Sequence, residues 1–361
     1  MTNVFDEVES EVRSHCRNWP VVFDMARGSR LFDVDGRSYL DFFAGAGALN
    51  YGHNPPELEA ALVDYLARDG VTHALDMHTG VKAEFLETFR ELVLAPRGLD
   101  HKIQFAGPTG ANAVESALKL ARKVTGRESM VNFTDAFHGM TLGALSVTGN
   151  PMKRGGAGVP LVHATPMPCR RHDMLPIVDD VQMGCGRTGP FFSFELAGIR
   201  PDIVTLFKSI SGYGLPMALV LIAPEYDAWA PGVRNGTFRG HNPAFVTATE
   251  ALRRWWKDDT LERSTLAEGQ RVGAALEEIA VDAGAVVKGR GLARGLQFGR
   301  AEIAPEVCAA AFARGVLMET AGPNDEVVKL LPPLTVTDEQ IEEGLGILRE
   351  SVRTVLTGAA A

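Results

Sequence analysis

Basic residues are outnumbered in this chain: 36 lysines and arginines face 45 aspartates and glutamates, a formal charge of −9 at pH 7. No Lys/Arg cluster offsets that balance, so neither a nucleic acid nor an acidic membrane surface is expected as a partner. Cysteine is scarcer still. Cys16, Cys169, Cys185 and Cys308 are irregularly spaced and include no C-x-x-C pair, which argues against a disulfide framework and a zinc site and fits a reducing compartment. Long apolar runs are missing too. The longest, "MALVLIA" at 217–223, is far too short to span a bilayer. The acidic start "MTNVFDEVESEVRSHC" has no apolar core of a signal peptide. These absences together lead to the expectation of a soluble, cytoplasmic protein.

At 361 residues with 45% hydrophobic content, the chain can bury one large and one small core. Residues 55–68 and 80–95 read as amphipathic helices, the first entered through prolines that the opening turn tolerates. Strand-like "HKIQFAG" at 101, helical "ANAVESALKLARKVTG" at 111 and strand-like "SMVNFT" at 129 then alternate, the signature of a parallel sheet covered by helices. Further strands are expected at 159–165, 174–180, 202–207 and 216–223, with helices at about 243–257 and 260–282. Beyond them, strand pieces around 285–298, "GVLMET" and "EVVKLL" interleave with helices near 304–313 and 338–356. That tail reads as a separate α+β lobe, and no repeat or low-complexity linker interrupts the chain.

Four features point to chemistry. "IVTLFKSISGYG" (203–214) ends an apolar strand on a lysine, Lys208, followed by small and flexible residues. "LPIVDDVQMGCGRTG" (175–189) ends another on Asp179, with Gln182 three residues on. Open α/β sheets bind ligands at the carboxyl ends of their strands. A lysine there can form a Schiff base, and a carboxylate facing a pyridine nitrogen would keep it protonated, so the pair points to pyridoxal phosphate. "GPTGANAVESALKLAR" (107–122) supplies a glycine-rich turn opening a helix, an anion cradle at Gly110 and Ala111, and it lacks the G-K-[ST] of a Walker A loop. Phe137 of "DAFHGMT" offers a ring to lie on a flat cofactor. The plain readings are a solvated lysine, a turn-capping aspartate and a core phenylalanine; joint appearance in order favours the functional one. The G-x-G-x-x-G at Gly184, Gly186 and Gly189 would suit a dinucleotide only with a helix starting in the loop, and "PFFSFELAGI" follows instead. The histidines, His73 and His78 among them, lack metal-ligand spacing and read as structural.

In order and spacing, "GPTGANAVESALKLAR", "FHGMT", "IVDDVQMGCGRTG", "LFKSISGYG" and "NGTFRGHNP" resemble the class III (ω-amino acid) aminotransferases, fold type I enzymes that use pyridoxal 5′-phosphate, over almost the whole chain. The wording of "KSISGYGLPMA", "GTFRGHNPAFVTAT" and "VVKLLPPLT" is nearest to members that move an amino group from glutamate to aspartate 4-semialdehyde in ectoine synthesis. The resemblance implies a mostly parallel central sheet with helices on both faces plus a smaller α+β domain: 55–245 as the large domain, 246–361 as the small one, 1–54 joining the latter. Lys208 would carry the Schiff base, Asp179 the pyridine nitrogen, Gln182 the ring hydroxyl and Phe137 the ring face. Gly110 and Ala111 would bind the phosphate with Thr237 from a second subunit, and Lys329, where many relatives carry arginine, would contact a substrate carboxylate without the bidentate fork. Alternatives are transfer from ornithine or 4-aminobutyrate, a non-catalytic relative, and a dinucleotide oxidoreductase.

One place departs from the pattern. Only "PMPCRRHD" separates the strands at 159–165 and 174–180, too few residues for a parallel crossover. The family carries a strand and flanking helices there, on the order of fifty residues by usual element lengths, so an internal deletion is expected between Pro168 and Cys169. Pro176 is a second oddity, because a buried strand needs the ladder donor that proline lacks.

Overall fold

A computed structural model describes residues 3–133, 136–155, 157–161, 164–166 and 174–358. The junction between Pro168 and Cys169 lies outside the described residues. Two compact units make up the chain, Met1–Pro55 with Ser264–Ala361, and Pro56–Arg263.

In chain order the first nine strands are β1 Phe23–Arg27, β2 Arg30–Asp33, β3 Ser38–Asp41, β4 Lys102–Gly107, β5 Met130–Asn132, β6 Ala164–Pro166, β7 Ile177–Asp179, β8 Ile203–Leu206 and β9 Ala218–Ile222. The last five are β10 Val286–Arg290, β11 Ala293–Gln297, β12 Val316–Leu317, β13 Glu319–Ala321 and β14 Val327–Leu330. Five helices matter below: α1 Pro56–Ala67, α2 Gly80–Phe89, α3 Gly110–Thr125, α4 Leu142–Ser146 and α5 Asn242–Trp255.

The unit of residues 56–263 is built on a sheet in the order β4-β9-β8-β7. β7 runs parallel to β8, while β9 opposes both β8 and β4. β4, β7 and β8 therefore point the same way, and their carboxyl ends share one edge. The chain reverses between β8 and β9 because the ten or so intervening residues hold only a short 3-10 turn, Lys208–Ser211, and a parallel return would need a longer crossover.

α3 covers one face of this sheet. Ala113, Ala117, Leu120 and Ala121 form its inner stripe and pack with Ala106, Ile203, Val220 and Ile222, the spacing a core-facing helix requires. Thr109 and Asn112 make a capping box at its start, and Gly126 closes it in the left-handed region at φ 68°. The other face is aromatic: Phe105 of β4 meets Phe245 of α5 at 4.9 Å and Phe85 of α2 at 6.1 Å between ring centroids.

β5 and β6 pair in parallel as a separate two-stranded sheet. Met130 of β5 and Ile177 of β7 both pack on the cluster of Val114, Leu118, Ala144 and Val147. Among the described residues no ladder joins β5 to β7. Pro176 lies just before β7, where its carbonyl accepts from the amides of Asp202 (3.1 Å) and Ile203 (3.2 Å) and its missing N–H costs nothing. The strand is thus shorter than the apolar run 174–180 predicts.

The other unit holds two four-stranded sheets, β1-β2-β3-β12 and β10-β11-β14-β13. In the first, Tyr39 stacks on Phe312 at 5.1 Å. Among the described residues no helix is long and apolar enough to cross a membrane.

Candidate active site

Lys208 directly follows Phe207 at the end of β8 and opens the 208–211 turn. It is half-buried, and its backbone has φ 51°, a left-handed conformation that costs a non-glycine residue ~1–2 kcal/mol. Such strain persists only where surroundings over-determine it. Here they do: Thr247 Oγ1 of α5 donates to the Ser211 carbonyl at 2.7 Å, and Gly212 lies so close to α5 and α1 that a Cβ would stand 2.5 Å from Ala251 and 3.0 Å from Leu58. Gly212 also has φ 77°. Gly212→Ala is accordingly expected to destabilise the protein by ~2–3 kcal/mol, overpacking added to backbone strain, seen as a lower urea midpoint at unchanged slope.

Asp179 ends β7 directly opposite Thr205 of β8. Its Oδ1 accepts from Thr205 Oγ1 (3.0 Å) and the Val181 amide (3.1 Å), and its Oδ2 lies 2.6 Å from His138 Nδ1. Both partners of that last contact are largely enclosed, at 14% and 23% side-chain exposure, so the pair is only weakly screened. Asp180 points the opposite way, as successive strand residues must, and binds Ser193. Adjacent aspartates thus divide the work, one for the edge and one for the core.

The start of α3 closes on the same place. A Cβ at Gly110 would lie 3.1 Å from both Phe207 and Val181, and one at Gly139 would lie 3.1 Å from Ala111. Gly110 and Ala111 occupy the first turn of α3, where amides have no helical acceptor and the dipole favours an anion. Lys208, Asp179, Gly110 and Ala111 therefore converge at one sheet edge, and Gln182 is half-buried in the turn after Val181. His138 joins them although the sequence pattern reads it as structural. Its only local signal is adjacency to Phe137; the contact with Asp179 spans 41 residues.

Other predicted residues are placed differently. Phe137 is 55% exposed, with Lys153 Nζ 4.4 Å from its ring centroid. Thr237 is exposed in a 3-10 turn, its carbonyl accepting from His73 Nε2 at 2.8 Å. Lys329 of β14 belongs to the other unit, where its ammonium pairs with Glu319 of β13 at 2.7 Å. The G-x-G-x-x-G segment is a run of turns leading to a 3-10 turn at Glu195–Ala197, with no α-helix opening in it. It therefore lacks the helix amides a dinucleotide needs. Burial, aided by Asp180, pushes the Cys185 thiol well up, which leaves it no thiolate chemistry. Burial likewise pulls His241 down, against the Pro216 carbonyl that acts the other way.

The donor set suits a pyridine carrying a phosphate. An ionised carboxylate has about four acceptor positions, and the three bonds to Asp179 leave one for a ring N–H. The missing Cβ at Gly110 lets Phe207 and Val181 pack against the first turn of α3. Fold and edge thus define an α/β protein with a site suited to a phosphorylated cofactor at the carboxyl ends of its strands.

Comparison with known proteins agrees. The model of the family described as aminotransferase class-III matches residues 12–168 and 160–352. A diaminobutyrate–2-oxoglutarate transaminase from Nocardia farcinica is 55% identical over 415 residues, covering 99% of this chain and 95% of the relative. One of the same name from Oceanobacillus iheyensis is 48% identical over 412 residues, covering 98% and 96%. Among solved structures, the ornithine aminotransferase from Toxoplasma gondii ME49 superposes with a TM-score of 0.84 at 23% identity (99% and 95% covered), and a transaminase from the marine bacterium Virgibacillus with 0.87 at 18% (99% of each). This chain belongs to the class-III aminotransferases. It has their fold, and the cofactor is pyridoxal 5′-phosphate. Alignments of 415 and 412 positions exceed the 361 residues present, so the relatives carry residues this chain lacks. The family match breaks in two at 160–168, next to the short connection.

Proposed function

We propose that this chain transfers an amino group from L-glutamate to L-aspartate 4-semialdehyde, giving L-2,4-diaminobutyrate and 2-oxoglutarate, the first step of ectoine synthesis in the cytoplasm and a contribution to osmoprotection. What carries the reading is the meeting of Lys208, Asp179 and the start of α3 at one edge, in a chain 47–55% identical to relatives named for this reaction. When bound, pyridoxal phosphate supplies an electron-withdrawing ring that stabilises negative charge at the substrate carbon next to nitrogen. Asp179 would hold the ring nitrogen protonated, with Thr205, the Val181 amide and His138 fixing its carboxylate. Gly110 and Ala111 would bind the phosphate through backbone amides, Gln182 the ring hydroxyl and Phe137 the ring face. Lys208 would hold the cofactor covalently. Released by the incoming amine, its own amine would take the proton from the α-carbon of glutamate and, in the second half of the reaction, deliver one to the carbon of the acceptor that receives the amino group.

Thr237, exposed and braced by His73, suits a phosphate contact across a homodimer. Lys329, released from Glu319, would meet a substrate carboxylate. A second reading has a specific observation behind it: the break between β5 and β7 fits a homologue whose catalysis is impaired by the missing segment.

Borohydride treatment of the protein with pyridoxal phosphate decides between them. The expected result is a single labelled peptide, containing Lys208, together with glutamate-dependent amination of the semialdehyde that exceeds turnover of ornithine or 4-aminobutyrate. Protein that stays unlabelled would favour the impaired homologue, and a preference for ornithine would reassign the substrate.

A further inference from the structure

None of these roles uses Glu115, yet its carboxylate is engaged by three donors. It lies on α3, five residues beyond Gly110, and its Oε1 accepts from Thr141 Oγ1 (2.6 Å) and from the amides of Gly143 (2.9 Å) and Ala144 (3.1 Å). Thr141 occupies the cap position of α4, but its hydroxyl makes no capping bond there. The first amides of α4, which have no helical acceptor, are satisfied instead by a carboxylate from another helix. The fit is close enough that any side chain at Gly143 would collide with that carboxylate.

α4 in turn holds the turn at 137–139. A Cβ at Gly139 would stand 3.2 Å from the Ala144 Cβ. The buried Thr148 hydroxyl accepts from the His138 amide at 3.0 Å and lies 3.1 Å from the Ala144 carbonyl and 3.2 Å from that of Gly139. His138 then meets Asp179 at 2.6 Å. A continuous set of packed and hydrogen-bonded groups thus runs from Glu115 to the carboxylate at the sheet edge.

We propose that Glu115 is a positioning residue: by clamping residues 141–144 to α3, its carboxylate fixes the 137–139 turn and so seats His138 against Asp179. Its bearing on catalysis rests on the cofactor site proposed above; the seating of His138 does not. Glu115 itself touches no reacting atom. A glutamine in its place keeps an acceptor for the Thr141 hydroxyl but loses the charge that strengthens all three bonds.

The test uses the full chain with Glu115→Gln and Glu115→Ala, and Thr141→Val as a milder variant should Glu115→Ala fail to fold. Without cofactor, amide exchange at Gly143 and Ala144 is expected to quicken by ~10-fold or more, the loss of a charge-assisted bond. The bonded Nδ1 proton resonance of His138 is expected to vanish in Glu115→Ala and to persist in part in Glu115→Gln. With cofactor, kcat is expected to fall by up to ~10²-fold at a nearly unchanged KM for glutamate, as small misplacements do. An unaltered His138 resonance in variants whose Gly143 and Ala144 amides have loosened overturns the proposal, as does unaltered exchange. If the parent protein takes up no pyridoxal phosphate while the His138 resonance still depends on Glu115, the clamp stands and the functional reading fails.

Discussion

Replacing Lys208 with alanine is expected to lower kcat/KM for amino transfer by at least ~10⁴-fold, because one amine both anchors the cofactor and moves the proton. Pyridoxal phosphate should still bind through the α3 amides and Asp179, but borohydride should no longer fix it to the chain. Lys208→Arg should fail as completely, since a guanidinium never gives up its proton in a protein and cannot act as a base. Lys208→Gly separates chemistry from conformation. It removes the amine yet accepts φ 51° without steric cost, so activity should vanish while unfolding free energy rises by ~1 kcal/mol. Steady-state kinetics and urea denaturation of the same preparations read both effects. Retained turnover in Lys208→Ala would remove the basis of the functional reading.

Inserting a strand with flanking helices between Pro168 and Cys169, where the connection is short, is expected to stabilise the protein by ~3–5 kcal/mol. β7 and β5 both lie on the cluster of Val114, Leu118, Ala144 and Val147 without pairing to each other among the described residues. Val131 on β5 is 41% exposed and the neighbouring Phe133 64%. A strand between β5 and β7 would satisfy free edges and bury two or three such side chains, each worth ~1.5–3 kcal/mol when fully covered. The gain should appear as a higher urea midpoint and as slower amide exchange at residues 130–132 and 177–179. Amino transfer should rise with it, because Asp179 closes β7. An unchanged midpoint and unchanged exchange would show that β5 and β7 need no strand between them.

Much of the architecture was legible in the sequence because it is written locally. The helical stretch that became α3, the glycine-rich turn that opens it and the apolar runs of β8 and β9 each depend on neighbours a few residues away. So does the ending of two strands on Lys208 and Asp179. β1, β2 and β3 were not read, because they are short, β1 and β2 are rich in charge and only partly buried, and the Asp35–Gly36 turn is their one strong mark. Pro176 looked anomalous only while the strand was taken to begin before it.

By itself the sequence determined which groups stand at strand ends and helix starts, and through five ordered motifs the family. The tertiary structure alone decided that Thr205 and His138 grip Asp179, that Glu115 caps a helix other than its own, that Lys208 is held at positive φ, and that Lys329 is paired with Glu319. Each of those depends on residues distant in the chain being brought within hydrogen-bonding or van der Waals reach. Local propensity carries no record of such pairings, which are fixed only when helices pack on the sheet and side chains compete for the same buried donors.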